Sequence, residues 1–173
     1  MIVMGTQGAT GAAQILFGTH TVHAIKRATC PILAIPSRCT FVEPHNILFP
    51  TDLDINYNRE HLKLLKHLAR KHDSVIDILH ISFGYPLEKK KEEFKKQLFE
   101  FFDDVPYNFH NIEKSTVSEG IYDFQEETNS QLIAMISNKH SFFENLLFRP
   151  VINEIGFRIK TPFLVIPSGK FNT

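Results

Sequence analysis

The segment from Met1 to Ser37 recurs without a gap 131 residues later, as Leu132 to Ser168. MIVMGTQG…LF…CPILAIPS near the start is answered by LIAMISNK…LF…TPFLVIPS near the end. Ten of the 37 aligned positions are identical: Ile2/Ile133, Met4/Met135, Leu16/Leu147, Phe17/Phe148, Arg27/Arg158, Pro31/Pro162, Leu33/Leu164, Ile35/Ile166, Pro36/Pro167 and Ser37/Ser168. Average residue usage gives roughly two or three identities by chance. An internal repeat therefore limits the fold before any other reading does. The copies part company at glycine. The first holds Gly5, Gly8, Gly11 and Gly18, where the second holds Ile136, Lys139, Phe142 and Arg149. One copy permits close backbone approach by a ligand, and the other has lost that capacity.

The repeated unit reads as strand, loop, helix, strand. Ile2–Met4 is a short apolar run ending in glycines, Ile15–Ile25 has a helical pattern, and Pro31–Ile35 is a second apolar run. Such a unit is the parallel crossover of α/β folds. Residues 38–45 contain Pro44 and polar side chains and are read as a linker. Strands follow at Asn46–Pro50, Val75–Ile81, Tyr107–Ile112, Leu132–Ile136 and Phe163–Ile166. Helical patterns lie between them at 58–72, 88–102, 120–128 and about 148–159. Leu62, Leu65 and Ala69 share one face of the first of these helices. From residue 46 onward the order is a complete β-α alternation, whereas residues 1–37 supply only the last strand, helix and strand of a similar unit. A parent with both units whole would carry roughly 100 further residues upstream.

Composition narrows the function. The 19 basic and 19 acidic residues balance, so nothing in the charge suggests nucleic acid or an anionic membrane as partner. No apolar stretch approaches the ~20 residues of a membrane span, and no signal-peptide pattern follows Met1. Two cysteines, Cys30 and Cys39, make no disulfide framework, so a reduced cytoplasmic setting is expected.

The glycines and their flanks resemble the universal stress protein family. Its hallmark is Gly-x2-Gly-x9-Gly-Ser/Thr, which Gly5, Gly8, Gly18 and Thr19 fit. MIVMGTQG and CPILAIP resemble the family's fourth and fifth strands, Asn46-Ile-Leu-Phe-Pro-Thr-Asp52 its first, and Ile78-Leu-His-Ile81 the end of its second. The likeness spans nearly the whole chain and drifts over about 84–116. It implies a Rossmann-like, doubly wound, five-stranded parallel sheet of order 3-2-1-4-5 over residues 46–173, preceded by a β-α-β remnant of a second such domain. It also implies ATP as the ligand. Gly5, Gly8, Gly18 and Thr19 would hold ribose and phosphates, while Pro50, Asp52 and Ile81 would frame the adenine end in the second domain. Tandem members associate through their last strands, which implies that Pro31–Ile35 packs against Phe163–Ile166 within the chain, and that a homo-oligomer forms through the last strands and the open edge of strand 2–4.

Physical chemistry supports the first of these sites and weakens the second. Backbone amides without blocking side chains suit a phosphate, and a helix opening at Gly18-Thr19 adds unsatisfied donors and a favourable dipole. In the second copy Lys139 and Phe142 fill the space, and Pro150 stands where Thr19 stood, removing both an amide and a hydroxyl. Arg149 acts the other way, since a guanidinium pairs with phosphate. ATP is therefore expected at most weakly around 139–150. Asp52 has an alternative reading as the cap of the following helix.

Other chemistries find less support. Asp52-Leu-Asp54-Ile-Asn56-Tyr-Asn58 begins like a calcium loop, but Tyr57 and Lys63 occupy the places that require Gly and Glu. His20 and His23 share a helix face without further ligands, and His80 reads as a satisfied strand residue. Cys30 before Pro31 reads as a packed thiol. No catalytic residue and no metal site is expected. The sequence points to a non-catalytic, nucleotide-binding stress-response protein. A purely structural association module is the alternative, with a slow ATP hydrolase behind it.

Overall fold

The computed structural model describes residues 1–6, 19–36, 39–54, 59–137 and 161–168, apart from the side chains of Thr19 and Arg59. Seven strands make one sheet. They are β1 (Ile2–Gly5), β2 (Ile32–Ile35), β3 (Asn46–Pro50), β4 (Val75–Ser82), β5 (Tyr107–Glu113), β6 (Leu132–Ser137) and β7 (Phe163–Pro167). The described helices are α1 (Thr19–Arg27), α2 (Arg59–Lys71), α3 (Lys89–Phe101) and α4 (Val117–Thr128).

Across the sheet the order is β1-β2-β7-β6-β3-β4-β5. Taken alone, β3 to β7 run in the 3-2-1-4-5 order that the family resemblance implies, with β3 central between β4 and β6. What differs is the extent. The sheet does not stop at β7 but continues through β2 to β1 as one seven-stranded surface. The joint is antiparallel, with Leu33 opposite Leu164 and Ala34 opposite Phe163, whereas every other described pair is parallel. The expected packing of Pro31–Ile35 against Phe163–Ile166 is thus made inside the chain, as an antiparallel pair.

Alternation along the strands creates two cores. On one face Ile47, Phe49, Ile76 and Ile78 meet Leu62, Leu65 and Ala69 of α2 and Leu98 of α3, with Phe102 just beyond α3. On the other, Leu48, Leu79, Ile133, Met135 and Phe163 meet Ile121 and Phe124 of α4, and Ile25 of α1 joins beside Ile32 and Ala34. Strands carrying apolar residues on both faces can only be interior ones covered by helices. The single buried carboxylate on β4, Asp77, accepts from Asn108 Nδ2 at 3.1 Å and from His110 Nε2 at 2.9 Å. Its partners come from the neighbouring strand, which offsets the cost of burial.

Element limits follow expectation to within a residue or two except at α4. That helix begins at Val117 rather than at Gly120. Thr116 is its N-cap, its side chain accepting from Glu119 N–H at 3.2 Å. The spacing Thr116-Val-Ser-Glu119 is a capping signature, and it places Gly120 inside the helix. The helix expected at about 148–159 and the beginning of the one expected at 15–25 lie outside the described residues; α1 runs two residues past the expected end, to Arg27.

Candidate functional site

β3 delivers its chain to the carboxyl edge of the sheet under tight backbone control. Thr51 N–H donates to Leu79 O at 2.8 Å, extending the grip of β4 one residue past the strand. The chain then turns sharply. Leu53 adopts φ 54°, a left-handed conformation that costs a branched side chain about 1–2 kcal/mol. Two features hold it there. Thr51 Oγ1 accepts from Leu53 N–H at 3.1 Å, and the Leu53 side chain is fully buried in the core. Between these anchors Asp52 is presented at the strand end, its Oδ1 accepting from Asp54 N–H at 3.2 Å.

β4 supplies the opposite wall. His80 is buried, and its Nδ1 lies 3.0 Å from Thr51 O. A carbonyl only accepts, so Nδ1 carries the proton and Nε2 of the neutral ring is an acceptor. Burial holds the His80 pKa below the ordinary histidine value. Lys91 and Lys95 act in the same direction, and the Thr51 hydrogen bond and Asp52 oppose them. Gly84 at φ +81° turns the chain after β4. Behind Ile81 stands Gly120 of α4, where an added Cβ would lie 2.7 Å from Ile81 Cδ1. Helix and strand approach this closely because that side chain is absent.

Together these walls enclose a cavity of about 330 Å³ outside the carboxyl ends of β3 and β4. That is the small end of the range for ligand pockets, at the edge where open α/β sheets place their ligands. Pro50, Asp52 and Ile81, the three residues named from sequence for this end, line it together. Thr51 and Lys91 line it as well and were not named, and His80, expected as a satisfied strand residue, joins them with its Nδ1 on Thr51 O. Thr51 and His80 adjoin named residues, and the strand period alone could have suggested them. Lys91 comes from α3, within the stretch where the resemblance fades, and only the fold brings it here.

The glycine motif is seen only at its ends. Gly5 closes β1, and its carbonyl accepts from Thr21 Oγ1 at 2.9 Å. Thr19 is the first residue of α1. Gly8 and Gly18 lie outside the described residues, as do Lys139, Phe142, Arg149 and Pro150. Among the described residues no group of three or more His, Cys, Asp or Glu is placed to hold a metal, and no helix is long and apolar enough to cross a membrane. Cys30 and Cys39 are free thiols.

Residues 1–36 match the universal stress protein family. No curated protein matches the chain in sequence. Among solved structures, a universal stress protein from Archaeoglobus fulgidus DSM 4304 superposes with a TM-score of 0.69 at 18% identity, over 97% of this chain and 60% of that one. A protein of unknown function from Pseudomonas aeruginosa PAO1 gives 0.65 at 11% identity, over 96% and 62%. A universal stress protein in complex with cAMP gives 0.53 at 12% identity, over 74% of this chain and all of that one. The chain thus spans about 60% of the length of the first two. In sequence over residues 1–36, and in fold over nearly its whole described length, the chain resembles the universal stress protein family.

Proposed function

We propose that the chain is a non-catalytic, stress-response binding protein that takes the adenosine end of an adenine nucleotide between β3 and β4. The observation that carries this reading is the cavity that gathers Pro50, Asp52 and Ile81 at the carboxyl ends of adjacent parallel strands. Its chemistry suits a nucleoside. Pro50 and Ile81 offer apolar walls for a base, and the Asp52 carboxylate offers an acceptor for an amino or hydroxyl donor. Lys91 offers a cation at the same cavity. The cAMP complex of a protein with this fold supports an adenine ligand.

In this proposal residues 46–173 form a complete unit and residues 1–37 the last strand, helix and strand of another, with 38–45 as the linker. The glycine motif at Gly5, Gly8, Gly18 and Thr19 then serves the phosphate end of a second adenine site, with ATP as its ligand. The second unit lacks glycines at 136, 139, 142 and 149 and has Pro150 after them, so its phosphate grip is poor. It should therefore favour adenosine and AMP over ATP.

Calorimetry on the full chain with adenosine, AMP and ATP tests this. Asp52→Ala should weaken adenosine by about tenfold, the effect of one lost charged hydrogen bond. No binding of any adenine compound, or binding indifferent to Asp52→Ala, would leave the association module as the better reading. The antiparallel β2·β7 joint, which shows strand pairing between the repeat copies, favours that second reading.

A further inference from the structure

β4 carries a buried ring to the end of the sheet with half of its hydrogen-bonding capacity unused. Strand alternation turns His80 to the same side as Ile76 and Ile78, toward α3, and the residue is only 6% exposed. Its Nδ1 proton is committed to Thr51 O at 3.0 Å. Nε2, the acceptor of the neutral ring, makes no hydrogen bond among the described residues. Nor is it one of the solvent-sealed polar atoms of the interior. His80 lines the cavity, and that is where Nε2 opens. An acceptor on a ring this deeply buried costs stability unless a donor meets it. The surroundings say what kind of donor. Burial, Lys91 and Lys95 oppose a second proton on the ring, and they outweigh Thr51 O and Asp52, which favour one. Nε2 therefore takes a hydrogen bond and does not give one. Pro50, Leu79, Ile81, Leu87 and Val117 put apolar surface around the same space. Asp52, only half-buried, stands nearer solvent. A flat base fits between the apolar walls with its edge at His80, which leaves a sugar hydroxyl for Asp52.

We infer that His80 selects the base in this cavity, its Nε2 accepting from the exocyclic amino group of a 6-aminopurine. This rests on the reading of the cavity as a nucleoside site and adds the atom that discriminates. A base without the amino group leaves Nε2 buried and unpaired, and a 6-keto group sets two acceptors against each other. Lys91 cannot do the same work, because an ammonium group only donates.

Calorimetry on the full chain with adenosine and with purine riboside, the same nucleoside lacking the amino group, reads the discrimination. The parent should prefer adenosine by at least about tenfold. His80→Asn keeps a donor for Thr51 O and removes the acceptor at Nε2. In that variant the preference should fall below about twofold, through loss of adenosine affinity alone. A role confined to shaping the cavity would weaken both nucleosides together, and that result would overturn the inference. NMR on the parent gives a second reading that does not depend on the variant folding. The ¹⁵N resonance of His80 Nε2 should move upfield with adenosine, as an unprotonated ring nitrogen does when it gains a donor, and stay in place with purine riboside. If both nucleosides bound alike and Asp52→Ala weakened both, His80 would not select the base, although the cavity would still be a nucleoside site. If neither bound, both readings would fall.

Discussion

β1–β2 and β6–β7 have one sequence pattern, one register and one hydrogen bond in common, yet they occupy opposite environments. Ile133 is 1% exposed and Ile2, its identical counterpart, is 46% exposed. Nothing in the strand itself decides this. β6 lies between β3 and β7, whereas β1 lies at the end of the sheet. Burial is conferred by neighbours, so apolar residues in a strand state what the strand requires and not what it receives. The same holds for chemistry. The copy with the glycine motif stands at the margin of the sheet, while the cavity lies in the half whose glycines are replaced.

The largest expected effect tests this contrast directly. Ile133→Ala should destabilise the chain by about 3 kcal/mol, as truncation in a filled core does, and Ile2→Ala by less than about 1 kcal/mol. Chemical denaturation of both variants gives the comparison. Equal losses would mean that the β1 edge is covered in solution.

A smaller effect sharpens the contrast from the other side. Thr21 is buried at 2% exposure, and its hydroxyl donates to Gly5 O, tying α1 to the end of β1. The repeat places Ile152 at the matching position, and isoleucine has no donor. Thr21→Val should cost about 1–2 kcal/mol, since it leaves a carbonyl without that donor. A neutral result in thermal melts would show that water replaces the hydroxyl at this open end.

Much of this architecture was legible in the chain. Strand periods, the repeat and the family resemblance together located seven strands and the order of β3 to β7, because buried parallel strands announce themselves as short apolar runs. Antiparallel joining of β2 to β7 was not written in either strand, since Ile32–Ile35 and Phe163–Pro167 pair as well in either direction. The start of α4 is legible in Thr116 and Glu119, which spell a cap, although the glycine at 120 reads as a boundary. At the site, Pro50, Asp52 and Ile81 could be named from their likeness to a family. Lys91 could not, because only the fold brings α3 beside the end of β4.

Gly120 provides the next test, and it joins stability to the cavity. Gly120→Ala gains helix propensity of about 1 kcal/mol but forces Ile81 to shift, an overpacking that costs about 1–3 kcal/mol. The expected net is a loss of about 1 kcal/mol. Its more specific signature is weaker adenosine binding, because the displaced Ile81 side chain lines the cavity. Stabilisation with binding unchanged would show that Ile81 has another rotamer to occupy.

The smallest effect is one of pH, and it lies at the buried histidine beside the cavity. Burial lowers the pKa of His80 in the folded chain, with Lys91 and Lys95 adding to it against the Thr51 carbonyl and Asp52. Unfolded, the same ring protonates near the ordinary value of about 6.5. As pH falls below that value the unfolded chain binds the proton first, so stability declines, and the decline ends once pH has passed the lowered folded value. The contribution is therefore whole at pH 7 and lost at lower pH. Denaturation at pH 7 and pH 5 should show a smaller loss for His80→Asn, which keeps a donor for Thr51 O but cannot take up the proton. An equal loss in His80→Asn and the parent would show that this ring does not titrate with folding.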